Sequence, residues 1–161
     1  MALHLEHLLV PVDFGESSDG ALGMAVELAE RFHAQLTLVH VYEIPSYFYD
    51  GMAYATADLL TPIEEAARAY LDKTLRAVRE RIPQADALLQ RGAPAAELLT
   101  VIERVHPDLV IMGTHGRTGV RRALLGSVAE RVVRLSAAPV LTVRGATGQR
   151  GPSAGPQEVR S

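Results

Sequence analysis

The residues best suited to chemistry in this 161-residue chain fall in two short glycine segments, Gly113-Thr114-His115-Gly116-Arg117 and Gly126-Ser127. Glycines at the end of a strand let the backbone turn sharply and bring its N–H groups close to an anion, because no Cβ stands in the way. Gly126-Ser127 suits a second task, opening a helix whose free N–H groups and dipole favour a phosphate, with the Ser127 hydroxyl as an extra donor. A plainer reading fits the same residues: the glycines are turn residues and Ser127 is an N-cap. Asp13 has two readings as well. It ends an apolar run before Phe14-Gly15, where it can initiate a turn or cap the next helix, yet its carboxylate also stands where a ligand would meet the strand.

Arg117 is either an exposed loop charge or a guanidinium that pairs with phosphate oxygens. His115 could face the same anion, but no neighbouring pattern supplies the orienting partner that catalysis would need. Arg121 and Arg122 lie between the glycine segments and read as a solvated face. Tyr42, Tyr47, Phe48, Tyr49 and Tyr54 could cover a ligand, meet a partner or pack onto the sheet.

Several familiar motifs fail. Asp13-Phe14-Gly15 spells the magnesium tripeptide of protein kinases, but no glycine-rich loop, strand lysine or catalytic loop precedes it. A P-loop needs Gly-Lys-Ser or Gly-Lys-Thr, and the single lysine, Lys73, sits elsewhere. The histidines are scattered and cysteine is absent, which excludes disulfides, thiolate catalysis and Cys-ligated metals. Ser17, Ser18, Ser127 and Ser136 lack a Gly-x-Ser-x-Gly elbow and no serine has a recognisable base arrangement, so a hydrolase triad has no support.

The elements that must position these residues follow from periodicity. His7 to Asp13 is a nearly continuous apolar run, as expected of a strand covered on both faces. Ser17 and Ser18 then offer N-caps to an amphipathic helix marked by Ala21, Met24, Ala25, Leu28, Ala29 and Phe32. Gln35–Tyr42 is a second strand, and residues 43–57 read as a loop or lid. A long helix starts at Asp58 or Thr61, with Pro62 in its first turn, and ends near Pro83. A third strand covers Ala85–Gln90, and Gly92 and Pro94 turn the chain into a helix that stops before His106-Pro107. Asp108–Met112 is a fourth strand, Ser127–Leu135 a helix and Pro139–Val143 a fifth strand suited to an edge. This alternation predicts a parallel sheet with helices on both faces, joined by right-handed crossovers, with ligands beyond the carboxyl ends of its strands.

The spacing Gly113, two residues, Gly116, nine residues, Gly126-Ser127 resembles the nucleotide motif of the ATP-binding universal stress proteins. Pro11-Val12-Asp13-Phe14 and Leu38-Val39-His40-Val41 look like that family's first two strands, and the likeness runs from about Leu5 to Val143. The resemblance implies a Rossmann-like α/β fold, a single open five-stranded parallel sheet of order 3-2-1-4-5. It implies that Asp13 bonds the ribose, that Val12 and Val41 give main-chain and apolar contacts around adenine, and that the Gly113 and Gly126 loops hold the phosphates. Pro11, Met112, His115, Gly116, Arg117, Ser127 and Val128 occupy matching positions at the same site. The implied ligand is ATP, with AMP or ADP as alternatives, and Mg²⁺ enters only on the phosphates.

Residues 1–144 are expected to form one nucleotide-binding domain and 145–161, punctuated by glycine and proline, a disordered tail. A net charge of −3 gives no general attraction for nucleic acid or anionic lipid. No secretory or membrane-spanning pattern occurs, so the expected compartment is the cytoplasm. Unpaired backbone groups on strand 139–143 invite the same strand of a second copy, and the resemblance likewise implies a homodimer. The expected role is a nucleotide-dependent module of the stress response without catalysis. The alternatives are a slow ATP-hydrolysing or phosphoryl-transfer enzyme, and a scaffold with an empty cleft.

Overall fold

The computed structural model describes residues 4–44, 56–114 and 125–145. Five apolar runs form strands, β1 (His7–Pro11), β2 (Gln35–Tyr42), β3 (Asp86–Arg91), β4 (Leu109–Gly113) and β5 (Val140–Val143). Four helices alternate with them, α1 (Glu16–Phe32), α2 (Thr56–Arg79), α3 (Pro94–Val105) and α4 (Ser127–Leu135). All strand pairs are parallel, in the order β3-β2-β1-β4-β5. The order reverses between β1 and β4, the switch point that opens a crevice at the carboxyl rim.

The pleat sends alternate side chains of each strand into two cores. Leu8, Val10, Leu36, Leu38 and Ile111 pack under α1 and α2, against Ala21, Ala25, Leu71 and Val78. Leu9, Val39, Val110 and Met112 pack under α3 and α4, against Leu98, Val101, Ile102 and Val132. Leu8, Leu9 and Val10 are fully buried, which accounts for a central strand without polar alternation. Burying one such side chain contributes roughly 1.5–3 kcal/mol, so these two layers hold the rim in place.

Several boundaries differ from the sequence expectation, β3 and β4 each lying one residue later in the chain and α2 ending at Arg79. β1 ends at Pro11, so Val12 and Asp13 lie just beyond it. α2 begins at Thr56, and Pro62 lies inside the helix instead of in its first turn. Pro62 has no N–H to donate to the turn before it, while Leu71 and Val78 beyond it are buried in the core. Neither Ser17 nor Ser18 caps α1; Gly15 is the N-cap, with no side-chain hydrogen bond. Both serines are buried and turned to other partners. α1 and α3 close on His33 (φ 55°) and His106 (φ 50°), histidines in the left-handed conformation more often given to glycine. Pro139 precedes β5, its carbonyl accepting the Val110 N–H at 2.9 Å, and β5 is an edge as expected.

Candidate functional site

Beyond the carboxyl ends of β1, β2 and β4 lies a cleft of about 1050 Å³, at the upper end of the roughly 300–1,000 Å³ usual for small-molecule sites. Pro11, Val12 and Asp13 line it from β1, Val41 from β2, Met112 and Gly113 from β4, and Gly126, Ser127 and Val128 from α4. The structure therefore brings together every expected site residue that it describes. His115, Gly116 and Arg117 lie outside the described residues, as do Arg121, Arg122, Tyr47, Phe48, Tyr49, Tyr54 and the tail from 146 onward.

The crevice opens because β1 loses its neighbours at this end. Pairing with β4 stops at Leu9 and Val110, and Pro11 has no N–H with which to continue it. On the other side the ladder with β2 stops at Pro11 and Val39, with one further bond from the Val12 N–H to the Val39 carbonyl at 2.8 Å. In a parallel ladder alternate residues of a strand face one neighbour. The Tyr42 carbonyl accepts the Gly92 N–H from the β3 side at 3.1 Å, so Val39 and Val41 face β1. β1 has ended by the level of Val41. Among the described residues, no backbone group meets the Val41 N–H and C=O, which form a donor and acceptor pair at the cleft.

The two glycine segments meet as the spacing anticipates, but their glycines serve different ends. The Thr114 carbonyl accepts the Gly126 N–H at 2.7 Å, clasping the base of the intervening segment. Gly126 is the N-cap of α4 and offers no side-chain cap, while Ser127 is the first helical residue and not the N-cap. The N–H groups of Ser127, Val128 and Ala129 thus have no acceptor within the helix and form a ready anion site. Gly113 answers to packing. A Cβ there would lie 2.7 Å from the Ser17 carbonyl carbon, 2.8 Å from its oxygen and 2.9 Å from its Cβ, so α1 could not approach β4.

Asp13 combines both of its readings. Its Oδ1 accepts the Gly15 N–H at 3.0 Å, making the turn, and its own N–H donates to Ser18 Oγ at 3.0 Å. Among the described residues Oδ2 has no partner. Ser17 Oγ donates to the Val143 carbonyl at 3.2 Å and lies 3.5 Å from Thr114 Oγ1, joining α1 to the ends of β4 and β5.

Periodicity did not reveal the cleft's outer wall, built by Pro62, Ile63, Ala66, Ala67 and Tyr70 of α2 with Pro94 and Leu98 of α3. Their apolar spacing marks them as inward-facing without saying which of them overhang the rim. Tyr42 ties that wall down, donating its hydroxyl to Glu64 Oε2 at 3.0 Å. Burial first, then this bond, raises the phenol above its usual range. Arg68 and Tyr42 together lower the Glu64 carboxyl. No group of three or more His, Cys, Asp or Glu among the described residues could hold a metal ion, and no described helix is long and apolar enough to cross a membrane.

Comparison with known proteins gives a consistent result. The profile of the universal stress protein family matches residues 4–144. A universal stress protein of Methanocaldococcus jannaschii is 32% identical over 138 residues, covering 85% of this chain and 81% of the relative. The universal stress protein UspA of Lactobacillus plantarum shares the fold, with a TM-score of 0.79 and 23% identity over 89% of this chain and 100% of that one. A universal stress protein solved in complex with cAMP gives a TM-score of 0.64 and 27% identity, covering 89% of this chain and 100% of that one.

Proposed function

The chain belongs to the universal stress protein family, and from that premise we propose that it is a binding module for ATP whose occupancy regulates protein contacts. The observation that carries the reading is the pairing, across one cleft, of the unmatched Val41 N–H and C=O with the uncapped first turn of α4. Adenine presents an acceptor at N1 beside a donor at N6, which complements one N–H and one C=O. Guanine presents a donor and an acceptor in the opposite order, and would set like groups against each other. Leaving such groups unpaired costs about 1–3 kcal/mol each, enough for tenfold discrimination or more.

The α4 N–H groups suit the phosphates, with Mg²⁺ carried on them and Arg117 adding positive charge. Asp13 Oδ2 is left for a ribose hydroxyl. The cAMP complex of a relative supports an adenine ligand in this family. Output passes through protein contacts, and β5, an edge strand with Leu141 exposed, suits pairing with its copy through residues 139–143 to give a homodimer. We read the role as binding and not turnover. Calorimetry with MgATP and MgGTP on ligand-free protein tests the proposal: ATP should bind at least about tenfold tighter than GTP. A flat ATP titration on folded protein overturns it.

A further inference from the structure

The Val41 edge is available because a backbone bond is missing, and a side chain bonds the carbonyl that would have made it. With Pro11 opposite Val39, the Val12 N–H donates to the Val39 carbonyl. The next bond of a parallel ladder would run from the Val41 N–H to the Val12 carbonyl. That bond is not made. The Val12 carbonyl instead accepts from Nδ1 of His40 at 2.7 Å, and because a carbonyl only accepts, Nδ1 carries the proton. His40 stands between Val39 and Val41 on β2, and its side chain rises from the face of the sheet opposite that of Val41.

The residues that follow complete the separation. The Asp13 N–H goes to Ser18 Oγ. Phe14 adopts φ 72°, a left-handed conformation uncommon for a bulky residue. Its ring packs on the His40 imidazole with centroids 4.3 Å apart, and on Tyr70 of α2. His40 is buried, 7% exposed, so packing as well as the bond holds its ring in place.

We propose that His40 is a positioning residue for nucleotide recognition: it draws the Val12 carbonyl off the plane of the sheet, ends the β1–β2 ladder one bond early and keeps the Val41 N–H for the ligand. The inference rests on the nucleotide reading above for its purpose, though not for its structural content. His40→Leu keeps apolar bulk and removes the donor, and His40→Asn sets an amide N–H near the place of Nδ1.

Residue-resolved amide exchange on the nucleotide-free protein, followed by MgATP calorimetry on the same samples, tests it. In the wild type the Val41 amide should exchange at least about tenfold faster than that of Val39, and MgATP should slow it. In His40→Leu the Val41 amide should gain protection without nucleotide as the ladder closes, and MgATP affinity should fall at least about tenfold. His40→Asn should restore both. A merely structural role would lower the melting temperature without protecting Val41. A Val41 amide as protected as Val39 in the nucleotide-free wild type overturns the proposal, even if no His40 variant folds. So does a folded His40→Leu with unchanged exchange and affinity. Failure of the wild type to bind MgATP would refute the nucleotide reading alone, because the exchange comparison still decides what His40 does.

Discussion

Gly113→Ala separates two demands that a glycine at a nucleotide cleft can serve. If the glycine existed only to let a phosphate approach, alanine would weaken binding and leave the ligand-free protein as stable as before. The geometry predicts the reverse emphasis. The added methyl would stand 2.7, 2.8 and 2.9 Å from the carbonyl carbon, carbonyl oxygen and Cβ of Ser17, closer than such contacts occur. Two of those atoms are helix backbone, so relief requires moving the start of α1 and not rotating a side chain. Overpacking of this kind costs about 1–3 kcal/mol, which for a chain of this size lowers the melting temperature by roughly 2–12 °C. Thermal unfolding of the ligand-free protein by circular dichroism measures it. Adding Ser17→Gly should recover little, because it removes one of the three close atoms and also the bond to the Val143 carbonyl. A ligand-free Gly113→Ala that melts within about 1 °C of wild type, against the 2–12 °C expected, would refute the packing argument.

Three further outcomes follow from the same geometry. Asp13→Ala removes both the turn bond to Gly15 and the free Oδ2, so calorimetry should register at least about a tenfold loss of MgATP affinity, as for a charge-assisted hydrogen bond; unchanged affinity would take Asp13 out of the site. Arg117→Ala should weaken ATP more than AMP, and equal losses would mean that the guanidinium does not meet the outer phosphates. Acid should weaken the fold in two stages. Burial lowers the His7 imidazole below its ordinary 6.5, against a smaller opposing effect of Asp108. The folded state thus prefers neutral His7, giving stability that is full above pH 6.5 and lost as pH falls through the folded value. The N–H groups of His7 and Glu6 hold the Asp108 carboxyl below its ordinary 3.8, and the stability it lends is lost on further acidification below that value. In urea titrations across pH, His7→Gln should abolish the upper stage and keep the lower; an unaltered upper stage would assign it to another group.

The alternation of apolar runs and helical spacing carried the parallel sheet and most of the cleft because those depend on patterns local to the chain, while the strand order came with the family resemblance. Nearly unbroken apolar runs separated by helical spacing leave few arrangements of a parallel sheet, and any such sheet brings Asp13, Val41, Met112 and Gly126 to one rim. What it hid depends on partners distant along the chain. Gly113 reads the same whether its missing Cβ makes room for a phosphate or for the backbone of Ser17. Ser17 and Ser18 stand where N-caps belong, yet their hydroxyls are drawn to Val143 and Asp13. Pro62 looks like a helix start because proline suits a first turn, yet the helix begins at Thr56, a boundary that proline statistics alone do not reveal. His40 appears in the sequence as a polar residue in a largely apolar strand, and its hydrogen bond to Val12 emerges only from the register.

The two ends of β1 are finished in opposite ways, and the contrast links stability to binding. At its amino end Asp108 Oδ2 accepts the N–H groups of both Glu6 and His7 at 2.8 Å, and His7 Nε2 meets Thr37 Oγ1 at 2.7 Å. Side chains there fasten the strand to β4 and β2. At its carboxyl end Pro11 withholds a donor from β4, and the Val12 carbonyl bonds to the His40 side chain and not to the Val41 N–H. A central strand in a five-stranded sheet would otherwise pair along its whole length on both sides and leave no backbone group for a ligand. Closing one end with side chains allows the other to stay unzipped without loosening the sheet. The two groups whose pKa values the fold lowers, His7 and Asp108, thus lie at the opposite end of the strand from the backbone pair proposed for the nucleotide.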